Sequence, residues 1–170
     1  MIKDVFEVGV IVVRRRLTSP WADYAWLPEA VLAGVPSAEP WTVLEEAASA
    51  TRFYAGALRL EFCSTETGFY RENLRSGRPS LWVSLRRTGR PPGVVPHRVT
   101  ADPAEGEALT EVGSDIVEAV PMPSAIRDRL AAFVEAHHVE RPFVKRKRDR
   151  ADPEALAKRP GRAAGVWSKP

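Results

Sequence analysis

The sequence predicts an α+β domain: an antiparallel sheet of six or seven short strands, two short helices and one longer C-terminal helix. Three observations predict it. Short apolar or alternating runs, bounded by Pro, Gly and Ser turns, recur from residue 5 to residue 100. The connections between the first strands are too short for a parallel crossover, which takes about a dozen residues. Three other segments carry helical start, stop or period signals. Helices packed on one face of such a sheet complete the layering.

Residues 5–13 form a near-continuous, valine-rich apolar run, as in a central strand buried on both faces. Thr18, Ser19 and Pro20 supply turn chemistry. A second strand is expected over 26–33, where Pro28 argues for a sheet edge or a bulge. A loop with two prolines, 34–40, leads to a short third strand at 41–44. Residues 52–62 alternate, with Tyr54, Leu58, Leu60 and Phe62 expected on one face and Arg59 and Glu61 on the other. Residues 67–75 read as a short helix, with Phe69, Tyr70, Asn73 and Leu74 on one side and Gly77 and Pro79 ending it. In the next strand Leu81, Val83 and Leu85 alternate with Trp82, Ser84 and Arg86. After an 88–93 loop, 94–100 is a weaker strand interrupted by Pro96. Asp102 can cap a helix, Pro103 suits its first position, and Glu105 can reach back as a capping box. Ala104, Ala108, Leu109 and Val112 are its expected apolar stripe, and Gly113 its stop. A short strand at 116–120 precedes the last helix, where Ile126, Leu130, Phe133, Val134 and His137 share a face.

At 170 residues the chain suits one domain with a tail. Charge divides it in the same way. Residues 1–140 carry 15 basic and 19 acidic side chains, a net −4; residues 141–170 carry 10 and 3, a net +7. An acidic body, 1–140, followed by a basic Pro/Ala/Gly-rich tail, 141–170, is the asymmetry of an interaction arm. The tail has too little apolar material to offset its ordering entropy, so it is expected to be flexible and disordered. One cysteine excludes a disulfide framework within the chain and a Cys-based zinc or iron–sulfur site. No stretch approaches the ~18 apolar residues that span a bilayer. Asp4, Glu7 and the Arg14–Arg15–Arg16 run are unlike a signal peptide, so a cytoplasmic location is expected.

Catalytic motifs are missing from the pattern. His137 and His138 are helix neighbours, about 100° apart, and lack metal-ligand spacing. They read as helix-end residues favoured by the negative end of the dipole. His97 has no visible partner, and Cys63 reads as a structural thiol. Nothing fits GxGxxG, GxxxxGK[ST] or GxSxG. No catalytic residue, cofactor or metal site is therefore expected. Binding features are more apparent. Trp21, Trp26, Trp41 and Trp82 sit in or beside strands, either as packing or as an aromatic face for a partner, which Arg52, Arg86 and Arg87 would complete. The run KRKRDR contains Lys145, Arg146, Lys147 and Arg148; it is a solubilising segment or a contact for nucleic acid, an acidic protein surface or an anionic membrane surface, the last without the lipidation signal or amphipathic apolar face that would support it. Trp167, in GVWSKP, is out of place in a purely solvating tail and suits a docking anchor.

Five strings carry a resemblance: PWADYAWLPEAVL at 20–32, AEPWTVLEE at 38–46, YRENL at 70–74, VEAVPMP at 117–123 and FVEAHHVERPFVKRKRDR at 133–150. Together they resemble a family of small proteobacterial proteins classed as a domain of unknown function. Some members are labelled molybdopterin-guanine dinucleotide biosynthesis protein A. The likeness covers about residues 8–150. It implies a genetic setting beside formate dehydrogenase-like subunits, a redox-enzyme maturation chaperone and a ferredoxin-like protein. A guanylyltransferase would need a Gly-rich loop after its first strand and carboxylates for magnesium. Here the strand ending at Val13 runs into three arginines and Thr18–Ser19–Pro20. The label thus reads as context, not activity.

The expectation is a non-catalytic accessory or assembly protein for a molybdenum-dependent formate dehydrogenase or relative. Its partner would be a molybdoenzyme subunit or the maturation chaperone. The alternative is a small nucleic-acid or nucleotide-binding protein that uses the basic tail.

Overall fold

Seven strands and three helices follow the chain in the computed structural model, which describes residues 1–140 apart from 112. The fold class is α+β, and every strand pairing is antiparallel. The strands are β1 (Lys3–Arg16), β2 (Tyr24–Leu32), β3 (Thr42–Glu46), β4 (Ala50–Cys63), β5 (Ser80–Arg87), β6 (Val94–Thr100) and β7 (Asp115–Pro121). The helices are α1 (Thr67–Arg75), α2 (Pro103–Glu111) and α3 (Ser124–His137). Residues 1–139 form one compact unit. The segment expected to be a flexible tail lies outside the described residues.

The strands divide between two sheets, ordered β2-β1-β4-β3 and β6-β5-β7. Burial explains the division. Val8, Val10 and Val12 of β1 and Leu81, Val83 and Leu85 of β5 are fully buried. One seven-stranded sheet would ask the helices to cover all of these. Yet α2 buries only Gly106, and α1 only Thr67, Tyr70 and Asn73. The two apolar faces instead share one core, to which α3 adds Ile126, Leu130, Phe133 and Val134. Because β1 and β4 run for 14 residues each, they extend well beyond the three shorter strands opposite.

Bulges set which side chains face the core. Pro28 lies on the edge strand β2 beside an irregularity in which Ile11 pairs with Ala30 and Val12 with Pro28, leaving Glu29 extra. A second bulge corrects the expected alternation of β4. Val10 pairs with Gly56 and Ile11 with Tyr54, so Ala55 is the extra residue. One inserted residue exchanges the two faces, because side chains alternate with period two. Phe53, not Tyr54, therefore joins Leu58, Leu60 and Phe62 on the core side. Tyr54 lies on the opposite side, still buried.

Helix α2 departs from its expected stripe. Ala104 and Ala108 are exposed, and the buried contact is Gly106 against Trp82. A Cβ at Gly106 would lie 2.2 Å from Trp82 Cγ, so only glycine permits this approach. Val112 lies outside the described residues. Asp102 does cap the helix, accepting the Ala104 N–H at 2.8 Å. Glu105 does not close a capping box; it pairs with Arg98 Nε at 3.0 Å. Asn73, 3 % exposed, joins three segments: its Nδ2 donates to Ser80 O and Ala101 O at 2.8 Å, and its Oδ1 accepts the Ser80 N–H.

Candidate functional site

The core-facing side of the four-stranded sheet ends in an aromatic floor. Alternation along β1 places Arg14 in phase with Val8, Val10 and Val12. Its cross-strand neighbours are Trp26 on β2 and Thr51 on β4. Trp26 meets Trp41 edge-to-face with centroids 5.6 Å apart, and Phe53 lies 5.6 Å from Trp26 and 6.1 Å from Trp41. Trp41 holds φ at 71°, a left-handed conformation that costs a non-glycine residue about 1–3 kcal/mol. The ring cluster and the bond from its N–H to Tyr54 O keep it there.

The Arg14 guanidinium lies over this floor. Its carbon is 4.6 Å from the Tyr24 ring centre, 5.5 Å from that of Phe53 and 5.7 Å from that of Trp26. Arg14 Nε is buried and has no hydrogen-bond partner. Leaving such a donor unpaired costs about 1–3 kcal/mol. Above it opens a cleft of about 420 Å³, lined by Arg14, Arg16, Tyr24, Glu46, Thr51 and the 47–50 turn. The turn is tied to β1 by the Arg16 N–H, which donates to Ser49 O at 2.9 Å. Among the described residues, Arg14, Arg15 and Arg16 make no ion pair, although acidic residues elsewhere are widely used: Glu29 and Glu45 hold Arg52, and Asp4 holds Arg129.

A larger cleft of about 580 Å³ lies between β4 and β6, bordered by Cys63, Tyr70, Arg98 and Asp102. Its polar groups are committed to one another. The buried Tyr70 phenol, pushed up to about 12 by desolvation, accepts the Cys63 N–H at 3.1 Å. Burial raises the pKa of Asp102 while that carboxylate caps α2. Cys63 Sγ sits 3.0 Å from Thr65 Oγ1. This is the bonding of a structural seam. Among the described residues, no cluster of His, Cys, Asp and Glu could hold a metal ion.

The residues singled out from sequence do not share one surface. Trp26 and Trp41 lie in the aromatic floor, and Trp82 lies under α2 on the far side of the other sheet. Trp21, at the tip of the 17–23 loop, is 92 % exposed. Arg86 bonds Asp115, whose side chain is 2 % exposed, and its Nη2 lies 2.6 Å from His97 Nε2. His97 thus does have a partner. Arg87 is exposed at the end of β5. His137 packs edge-on to Phe133, and His138 Nδ1 meets Thr67 Oγ1 at 3.1 Å. Lys145, Arg146, Lys147, Arg148 and Trp167 lie outside the described residues. Arg14 was not among the residues singled out. The signal for it was an arginine in register with three core valines, at the end of a strand judged only by its apolar run.

A two-sheet α+β domain with an arginine-lined mouth over an aromatic floor is thus the class of molecule. The chain belongs to the family described as a protein of unknown function (DUF3305), whose model matches residues 7–147. No curated protein and no solved structure matches the chain. No described helix is long and apolar enough to cross a membrane.

Proposed function

We propose that the chain is a non-catalytic protein-binding factor that assists assembly of a molybdenum-dependent formate dehydrogenase or a related molybdoenzyme. The observation that carries the protein-binding part is Trp21, a large aromatic side chain 92 % exposed on a loop. Folding leaves its apolar area uncovered, and a partner that covered it would gain the hydrophobic term. Leu17 on the same loop is 38 % exposed, and the edge strand β3 exposes Val43 and Leu44 at 51 % each. A free strand edge offers unpaired backbone groups to an incoming segment. The molybdoenzyme part comes from the family resemblance. The basic run from Lys145 to Arg148 adds a contact for an acidic surface, raising encounter rate more than affinity.

The test is affinity purification of the tagged full chain from its own host, beside Trp21→Ala. Formate dehydrogenase subunits or their maturation chaperone, recovered with the full chain and depleted at least about tenfold by Trp21→Ala, support the reading. Recovery of nucleic acid that nuclease removes, with neither protein present, replaces it with a nucleic-acid-binding role for the basic run.

A further inference from the structure

We infer that the mouth between Arg14, Arg16 and the 47–50 turn is a binding site for an oxyanion, a carboxylate or phosphate group, anchored by the Arg14 guanidinium. Three features converge. Arg14 is stacked on rings and has a buried, unpaired Nε, so much of its desolvation is already complete before any ligand arrives. The planar fork of an arginine held by stacking is pre-organised for two-pronged recognition of a carboxylate or phosphate. Arg16 borders the same cleft, and neither arginine is neutralised by an acidic side chain among the described residues. The cleft's size suits a small group, and its lining is polar, with Ser49 and Thr51 beside the arginines.

Glu46 provides an internal control. It lines the same cleft, makes no ion pair among the described residues, and opposes an incoming anion. Replacing it therefore strengthens binding if the site takes anions, whereas loss of a merely structural acid would not. The inference is independent of the protein-binding reading, because Trp21→Ala is expected to leave the anion titration unchanged.

The test is titration of ¹⁵N-labelled full-length protein at constant ionic strength with three probes: sodium phosphate, citrate, and an end-blocked tetraglutamate peptide. The expected result is a saturable shift of the Arg14 Nε–H signal and of the amides of residues 46–51. Phosphate or citrate acting alone identifies a free small anion; the peptide acting alone identifies a carboxylate presented on a chain. Arg14→Met keeps the apolar stem over the rings and is expected to weaken binding about 10- to 100-fold, the worth of charge-assisted hydrogen bonds. Arg16→Gln, which leaves the stack untouched, weakens it less, and Glu46→Gln tightens it. The inference is overturned if no probe saturates the Arg14 signal, or if Arg14→Met, with its amide spectrum otherwise retained, binds as the parent does.

Discussion

The two ends of β1 carry the same pairing of an arginine with aromatic rings, and they complete it differently. At the helix-covered end, Arg129 of α3 lies 3.9 Å over the Phe6 ring. It also holds Asp4 through two bonds, Nε to Oδ2 at 2.7 Å and Nη2 to Oδ1 at 2.6 Å. Phe6 in turn packs on Phe62, which meets Tyr70 and Phe133. At the open end, Arg14 lies over Tyr24, Trp26 and Phe53 and makes no ion pair among the described residues. One arginine is paired with a carboxylate within the chain and fastens α3 to the sheet. The other retains a stacked, unpaired charge at a cleft.

The largest contrast is in the rings. Phe62→Ala at the covered end should lower unfolding free energy by about 3–5 kcal/mol. Trp21→Ala at the open end should change it by less than about 0.5 kcal/mol. Denaturant titration of both would measure this, and comparable losses would mean that the open end is packed after all. Next come the arginines. Arg129→Met leaves Asp4 unpaired and should destabilise by about 1 kcal/mol, the upper range for a partly exposed pair. Arg14→Met removes an unsatisfied donor and should hold or raise the melting temperature. A loss at Arg14 matching that at Arg129 would show that its stacking on the three rings outweighs the unpaired Nε.

The smallest effect is in acid. The hydrogen bond from Arg129 holds the Asp4 carboxyl below its usual range. A carboxylate with a depressed folded-state pKa contributes stability that is fully present above its unfolded value, near pH 4, and lost as pH falls through the folded value. Arg129→Met should therefore flatten the stability profile below about pH 4, while Arg14→Met leaves that slope unchanged. Parallel acid unfolding curves for Arg129→Met and the parent would remove the pair from the account.

Much of the fold was legible because it is written in local terms. The valine run predicted an inner strand, and β1 is one. Pro28 predicted an edge or a bulge, and it lies on an edge strand beside one. The α1 bounds, the Asp102 cap and the four buried residues of α3 follow from spacing and capping chemistry. The face of Tyr54 was not legible, because a bulge at Ala55 is set by strand pairing and not by any signal in the run itself. Nor was the role of Gly106, whose neighbour Trp82 is 24 positions away. The tryptophans showed the same limit. Composition could name them, but only packing separated the two in the aromatic floor from the one under a helix and the one in solvent.

The α+β class, the order of the ten elements and the division of charge between residues 1–140 and 141–170 are all legible in the chain's local patterns. Each of these depends on neighbours within a few positions, where backbone propensity and side-chain period act directly. Tertiary structure decided the pairing into two sheets, the phase of β4, and the mouth where Arg14 meets residues from three other strands. Those depend on which faces bury one another, and burial is a property of the assembled core rather than of any one segment.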